Sequence, residues 1–134
     1  MTERLDNEMR SAAADGMTDL FSASAGTLKI YTGTQPTSAN DAPSGSLLVT
    51  ITLPTPAFGG ASNGVASKSG TWSDNAGADG EGGWFRLADN GDTARIDGSV
   101  TDTGSGGDLQ LDDATIVNGG TVTISTFTIT VPAE

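Results

Sequence analysis

Two different hydrophobic rhythms run along this chain, and they meet near residue 25. In residues 2–22 the apolar side chains Leu5, Met9, Ala13, Met17 and Leu20 follow one another at spacings of 4, 4, 4 and 3. That spacing predicts one apolar stripe on an α-helix. Thr2 is the expected N-cap, with Glu3 and Asp6 in the first turn, where negative charge is favourable. Gly16 weakens the middle of such a helix by about 1 kcal/mol relative to alanine. Two placements follow: the helix lies on its own domain, or it acts as an arm that docks on a neighbouring subunit.

From residue 25 onward the period becomes two, the signature of strands. Leu28 and Ile30 share one face of a first strand, with Lys29 and Tyr31 on the other. After a polar loop over 33–45, Leu47, Val49, Ile51 and Leu53 alternate, and Pro54 and Pro56 end the run. Short strands are expected at 64–69 and 70–73. Residues 82–89 and 93–101 read as a hairpin about the Asp89-Asn-Gly-Asp92 turn. Leu109 with Leu111 and Ile116 with Val117 mark two more short strands. The closing segment Thr121–Val131 reads as one long strand, but Val122 and Ile124 occupy even positions, whereas Phe127, Ile129 and Val131 occupy odd ones. A β-bulge near Ser125-Thr126 would bring both sets to one core; a strand crossing between two sheets would also account for the slip.

Turn signals at short intervals, and no strand–helix–strand alternation, predict a mainly β chain. The expected architecture is an antiparallel β-sandwich or barrel-like domain over 25–134, preceded by a short N-terminal helical arm over 1–24. With 134 residues, the chain has the size of one domain.

Composition narrows the chemistry. The chain has no histidine and no cysteine, so nucleophilic triads and zinc sites of the common kinds lack their residues. A net charge of −11, with only six basic residues, opposes nucleic-acid binding and binding to anionic lipid. No run approaches the ~20 apolar residues of a membrane helix, and the acidic N-terminus does not resemble a secretion signal, which points to the cytoplasm of the producing cell. Asp74, Asp79, Glu81, Asp89, Asp92, Asp102, Asp108, Asp112 and Asp113 all lie in turn-like contexts that promise no raised carboxylate pKa. An enzyme is therefore not expected, nor is a cofactor or a metal site. The 74–81 segment lacks the ligand spacing of a calcium loop. Trp72, Trp84 and Tyr31 suggest a sugar-stacking platform, or else core and interface anchors. Trp84 alternates with Phe85 and Leu87, so a second layer or a partner is expected to cover its face.

Several segments carry a resemblance. They are Ala25-Gly-Thr-Leu-Lys-Ile-Tyr-Thr-Gly-Thr-Gln-Pro-Thr-Ser-Ala39, Ser46-Leu-Leu-Val-Thr-Ile-Thr-Leu53, Pro56-Ala-Phe-Gly59, Gly83-Trp-Phe-Arg-Leu-Ala-Asp89, Ile96-Asp-Gly-Ser-Val100, Asp108-Leu-Gln-Leu111 and the closing Thr121–Pro132 stretch. In that order they resemble a group of small virion proteins of tailed bacteriophages. The resemblance implies a structural role, foremost a capsid decoration (cement) protein on the outer face of the shell. Its implied partners are the major capsid protein and copies of itself, with trimers where capsomers meet. A head–tail connector or tail component is the alternative place, and a glycan-binding module of a host-recognition structure is a third. The expected partner interface comprises Leu5, Met9, Met17, Leu20, Phe21 and Trp84.

Overall fold

The computed structural model describes residues 3–133. It is mainly β with one N-terminal helix, a curled main sheet and small flanking sheets, as a sandwich or barrel-like domain requires. The helix α1 spans Asn7–Ser22 and is followed by β1 (Thr27–Tyr31), β2 (Leu47–Thr52), β3 (Val65–Ser67) and β4 (Trp72–Asn75). Then come β5 (Gly80–Glu81), β6 (Trp84–Ala88), β7 (Arg95–Asp102), β8 (Leu109–Leu111), β9 (Thr115–Ile116), β10 (Thr121–Ile124) and β11 (Thr128–Thr130).

The helix starts later than the sequence suggests. Asp6, in extended backbone, is the N-cap, and its side chain accepts from the Met9 amide at 2.9 Å, so an otherwise orphaned donor is satisfied. The expected cap, Thr2, lies outside the described residues.

The main sheet has five strands in the order β2-β1-β6-β7-β8, antiparallel except for the parallel β7–β8 pair. The expected hairpin is present as β6 and β7, in register from Trp84↔Ser99 to Ala88↔Arg95. On the inner face Leu28 pairs with Ile51 and Leu87, and Ile30 with Val49 and Phe85. These side chains are almost wholly buried, which is why period-two residues form the strands here: one face is removed from water. Gly98 lies opposite Phe85, and a Cβ there would come within 2.6 Å of the phenyl ring. Glycine at this strand position makes room for an aromatic core residue.

Two departures from simple alternation have local causes. In β2 the register shifts between Ile30 and Tyr31, so that Tyr31 pairs with Leu47 and Leu48 is the extra residue. Leu48 turns inward and is 1% exposed, whereas Leu47, expected on the core face, is 43% exposed. The 121–131 segment is not one strand but two. β10 pairs with β4 and β11 with β3. Between them four residues (68–71) oppose three (125–127), so the extra residue lies on the opposing segment and not at Ser125-Thr126. The two halves belong to separate two-stranded sheets, yet Ile124, Phe127 and Ile129 all reach one core. The slip is thus met by a passage from one small sheet to the next, with both halves facing the same core, rather than by a bulge at Ser125-Thr126.

An aromatic path crosses the core. Phe21 of α1 meets Phe58 at 6.5 Å, Phe58 meets Trp72 edge-on at 5.3 Å, Trp72 meets Phe127 at 5.6 Å, and Phe127 meets Phe85 edge-on at 5.4 Å. Tilted and edge-to-face contacts of this kind add to the stabilisation from burial alone. They tie the helix to the main sheet, so α1 lies on its own domain.

Candidate interaction surface

The side of α1 that faces the domain is not the side its hydrophobic pattern indicates. Ala14, Thr18 and Phe21 are buried. Around them the polar side chains act as latches: Arg10 Nε donates to Val131 O at 2.8 Å and the Gly64 amide donates to Ser11 Oγ at 3.1 Å. The Ala61 amide donates to Asp15 Oδ1 at 2.7 Å, and the Ala57 amide to Ser22 Oγ at 3.1 Å. Loop 57–64 has few strand partners of its own, and its amides would be costly to leave unmade. The helix therefore presents oxygens to them and turns its apolar stripe outward.

That stripe is open. Met9 is 59% exposed, Leu20 53% and Met17 39%. The small residues Ala12, Ala13 and Gly16 lie exposed between them, and a side chain at Gly16 would meet no neighbouring atom within 4 Å. The result is a shallow apolar strip bordered by the exposed carboxylates Asp6, Glu8 and Asp19. Of the six residues expected at a partner interface, Met9 and Leu20 thus lie on one free face, and Met17 lies at its edge, where it borders a cleft shared with Phe127 and Ile129 of the β domain. Leu5 is half-buried beside it, its amide donating to Ala133 O at 2.8 Å.

The other two leave the interface set. Phe21 is 1% exposed and sits in the core, turned away from the outward strip. Trp84 is fully buried, and the layer that covers its strand face comes from the chain itself. The indole Nε1 donates to Ser44 O at 3.2 Å, so the end of the 33–45 loop folds over the sheet. Tyr31 stacks on the same indole at 4.6 Å and the Arg86 guanidinium lies 5.4 Å from it. Trp72 is equally buried, so the two tryptophans and Tyr31 form no open sugar platform: an indole in the core cannot stack on a ligand.

Sequence reasoning missed the ion pair beneath that loop. Arg86 grips Asp97 through Nε and Nη2 at 2.7 and 2.9 Å, with both side chains under 5% exposed. The hydrogen bonds to Asp97 hold the Arg86 pKa above its ordinary value, so the charge persists despite burial. The one available signal is positional: in a hairpin centred on the Asp89–Asp92 turn these residues fall opposite one another.

Most turn carboxylates have a structural role. Asp79 accepts from the Asn118 amide at 2.7 Å, Asp102 from Ala114 at 2.6 Å, and Asp108 from both the amide and hydroxyl of Ser99. Glu81 accepts from the Thr115 hydroxyl. Asp89 accepts from the Thr93 amide and hydroxyl and from the Ala94 amide. These bonds, the Thr93 amide first, hold its pKa below the usual carboxylate value. Asp92 is likewise lowered, by hydrogen bonding to Arg95. Among the described residues no three acidic groups converge as a metal site would require.

Comparison with protein-family models, curated proteins and solved structures finds no match for this chain.

Proposed function

We propose that this chain is a non-enzymatic structural protein of a tailed-phage particle, a decoration protein that sits on the outer face of the capsid shell through α1. The observation that carries the reading is the exposed strip of Met9, Ala13, Gly16 and Leu20, with Ala12 and Met17 at its edges where the helix meets the β domain. A contiguous exposed apolar strip rimmed by polar groups marks a contact site, and a helix face is a common way to offer one. The chain lacks histidine and cysteine, and its acidic side chains largely serve as hydrogen-bond acceptors within loops. A charge of −11 favours the outer wall over the DNA-filled interior. The tailed-phage resemblance of its strand and turn segments supplies the kind of assembly.

Copy number in purified particles tests the reading. Decoration requires on the order of hundreds of copies, matching the shell, whereas a connector ring would hold about six or twelve. Absence from particles would overturn it. Deleting residues 1–22 would not test the arm, because that removes Phe21 from the core along with the outward strip.

A further inference from the structure

The face of the main sheet opposite the core, partly covered by the 33–45 loop, carries a second feature, independent of the helix. Across β2, β1, β6 and β7 one row reads Thr50, Lys29, Arg86, Asp97, each the register partner of the next. Asp97 neutralises Arg86, but Lys29 has a threonine on one side and a guanidinium on the other. Like charges directly opposite each other destabilise a strand pair. This one occurs in a chain with only six basic residues against 17 acidic ones.

Lys29 and Arg86 line a cleft of about 220 Å³ with Thr27 and Tyr31, bounded by Pro43 and the turn residues Asp89 and Asp92. The rim carboxylates are already engaged. Asp89 is occupied by Thr93 and Ala94, and Asp92 by the Nε and Nη2 of Arg95, both at 3.0 Å. The ion pairs here are Arg86–Asp97 and Arg95–Asp92; Lys29 belongs to neither, and it acts on Asp92 only through its charge, behind the Arg95 contact. Arg86, a lining residue of the cleft, gives Nε and Nη2 to Asp97, so Nη1 is the nitrogen not committed to that pair. Burial raises the Tyr31 pKa, so its hydroxyl stays a neutral donor.

We propose that this cleft binds a single carboxylate group, held by the Lys29 ammonium with Arg86 and Tyr31 as further donors. Its volume is below the roughly 300–1,000 Å³ of drug-sized sites and suits one small charged headgroup. A monovalent anion fits a rim that carries Asp89 and Asp92; a divalent phosphate would meet them with greater repulsion. The rest of the −11 charge is screened beyond about 8 Å at physiological ionic strength. The group could belong to a free small acid or to an Asp or Glu side chain of a neighbouring protein. The assignment does not depend on a place in a capsid.

The test is a titration of the ¹⁵N-labelled full chain with sodium acetate, against sodium chloride at matched ionic strength. Acetate is expected to give saturable amide shifts confined to 27–31 and 86–92. The Lys29→Gln chain should bind about tenfold or more weakly, since a charge-assisted hydrogen bond is lost, and Lys29→Arg should retain binding. A parallel titration with N-acetyl-glutamate amide separates the sources: tighter binding than acetate assigns the group to a protein side chain, weaker binding to a free acid. Identical shifts in chloride and acetate, or a Lys29→Gln chain that titrates like the unmodified one, would overturn the assignment.

Discussion

Asp15 Oδ1 accepts the Ala61 backbone amide at 2.7 Å, joining the middle of α1 to a loop 46 residues away in sequence. This contact, with those of Arg10, Ser11 and Ser22, fixes which side of the helix meets the domain. Asp15→Ala leaves a part-buried amide without its charged acceptor and should cost about 1–3 kcal/mol. Met9→Gln, on the outward strip, should stay within about 0.5 kcal/mol. Urea denaturation with an unchanged m-value checks both.

Phe21 is where the helix enters the aromatic core. Phe21→Ala should destabilise by about 3–5 kcal/mol, through lost transfer energy and an unfilled cavity beside Phe58. Thermal and urea unfolding measure it. A cost near that of Met9→Gln would mean that α1 does not dock as described.

The Arg86–Asp97 pair predicts an asymmetry. Asp97→Ala strands a guanidinium that is 3% exposed and should cost about 3–5 kcal/mol, whereas removing both charges as Arg86→Met with Asp97→Leu should cost less. A double-mutant cycle resolves the coupling.

The β6–β7 turn should respond to acid. The folded Asp89 pKa lies below its unfolded value, so its contribution is present above the unfolded carboxylate range and is lost as pH falls through the folded pKa. Asp89→Asn removes that titration. The unmodified chain should therefore lose more stability than the Asp89→Asn variant between about pH 5 and pH 3, measured by urea midpoints across that range.

The β domain was legible because one-sided burial imposes period two: Leu28, Ile30, Val49, Ile51, Phe85 and Leu87 all occupy the core face they were expected to occupy. The β6–β7 hairpin was legible from its turn chemistry. Leu47 misled because a bulge at Leu48 changes parity within a single run of apolar residues, and nothing local distinguishes the two leucines. The helix was legible as a helix with an apolar stripe, but not in which side would meet the domain. A hydrophobic stripe indicates burial only when the neighbouring surface is apolar, and here loop 57–64 offers amides, which Ser11, Asp15 and Ser22 satisfy better than Met9 or Leu20 could. Trp84 was expected to be covered; that Ser44 and the 33–45 loop cover it depends on a fold-back that no pairwise pattern encodes.

Docking on the shell rests on the outward strip of α1. The most direct measurement is occupancy of purified particles by the full-length chain carrying Met9→Asp and Leu20→Asp, compared with the unmodified chain, with thermal unfolding recorded for both. Docking through the strip predicts unfolding that is nearly unchanged, because both side chains face solvent, and occupancy that falls about tenfold or more. Equal occupancy of the two chains would contradict it.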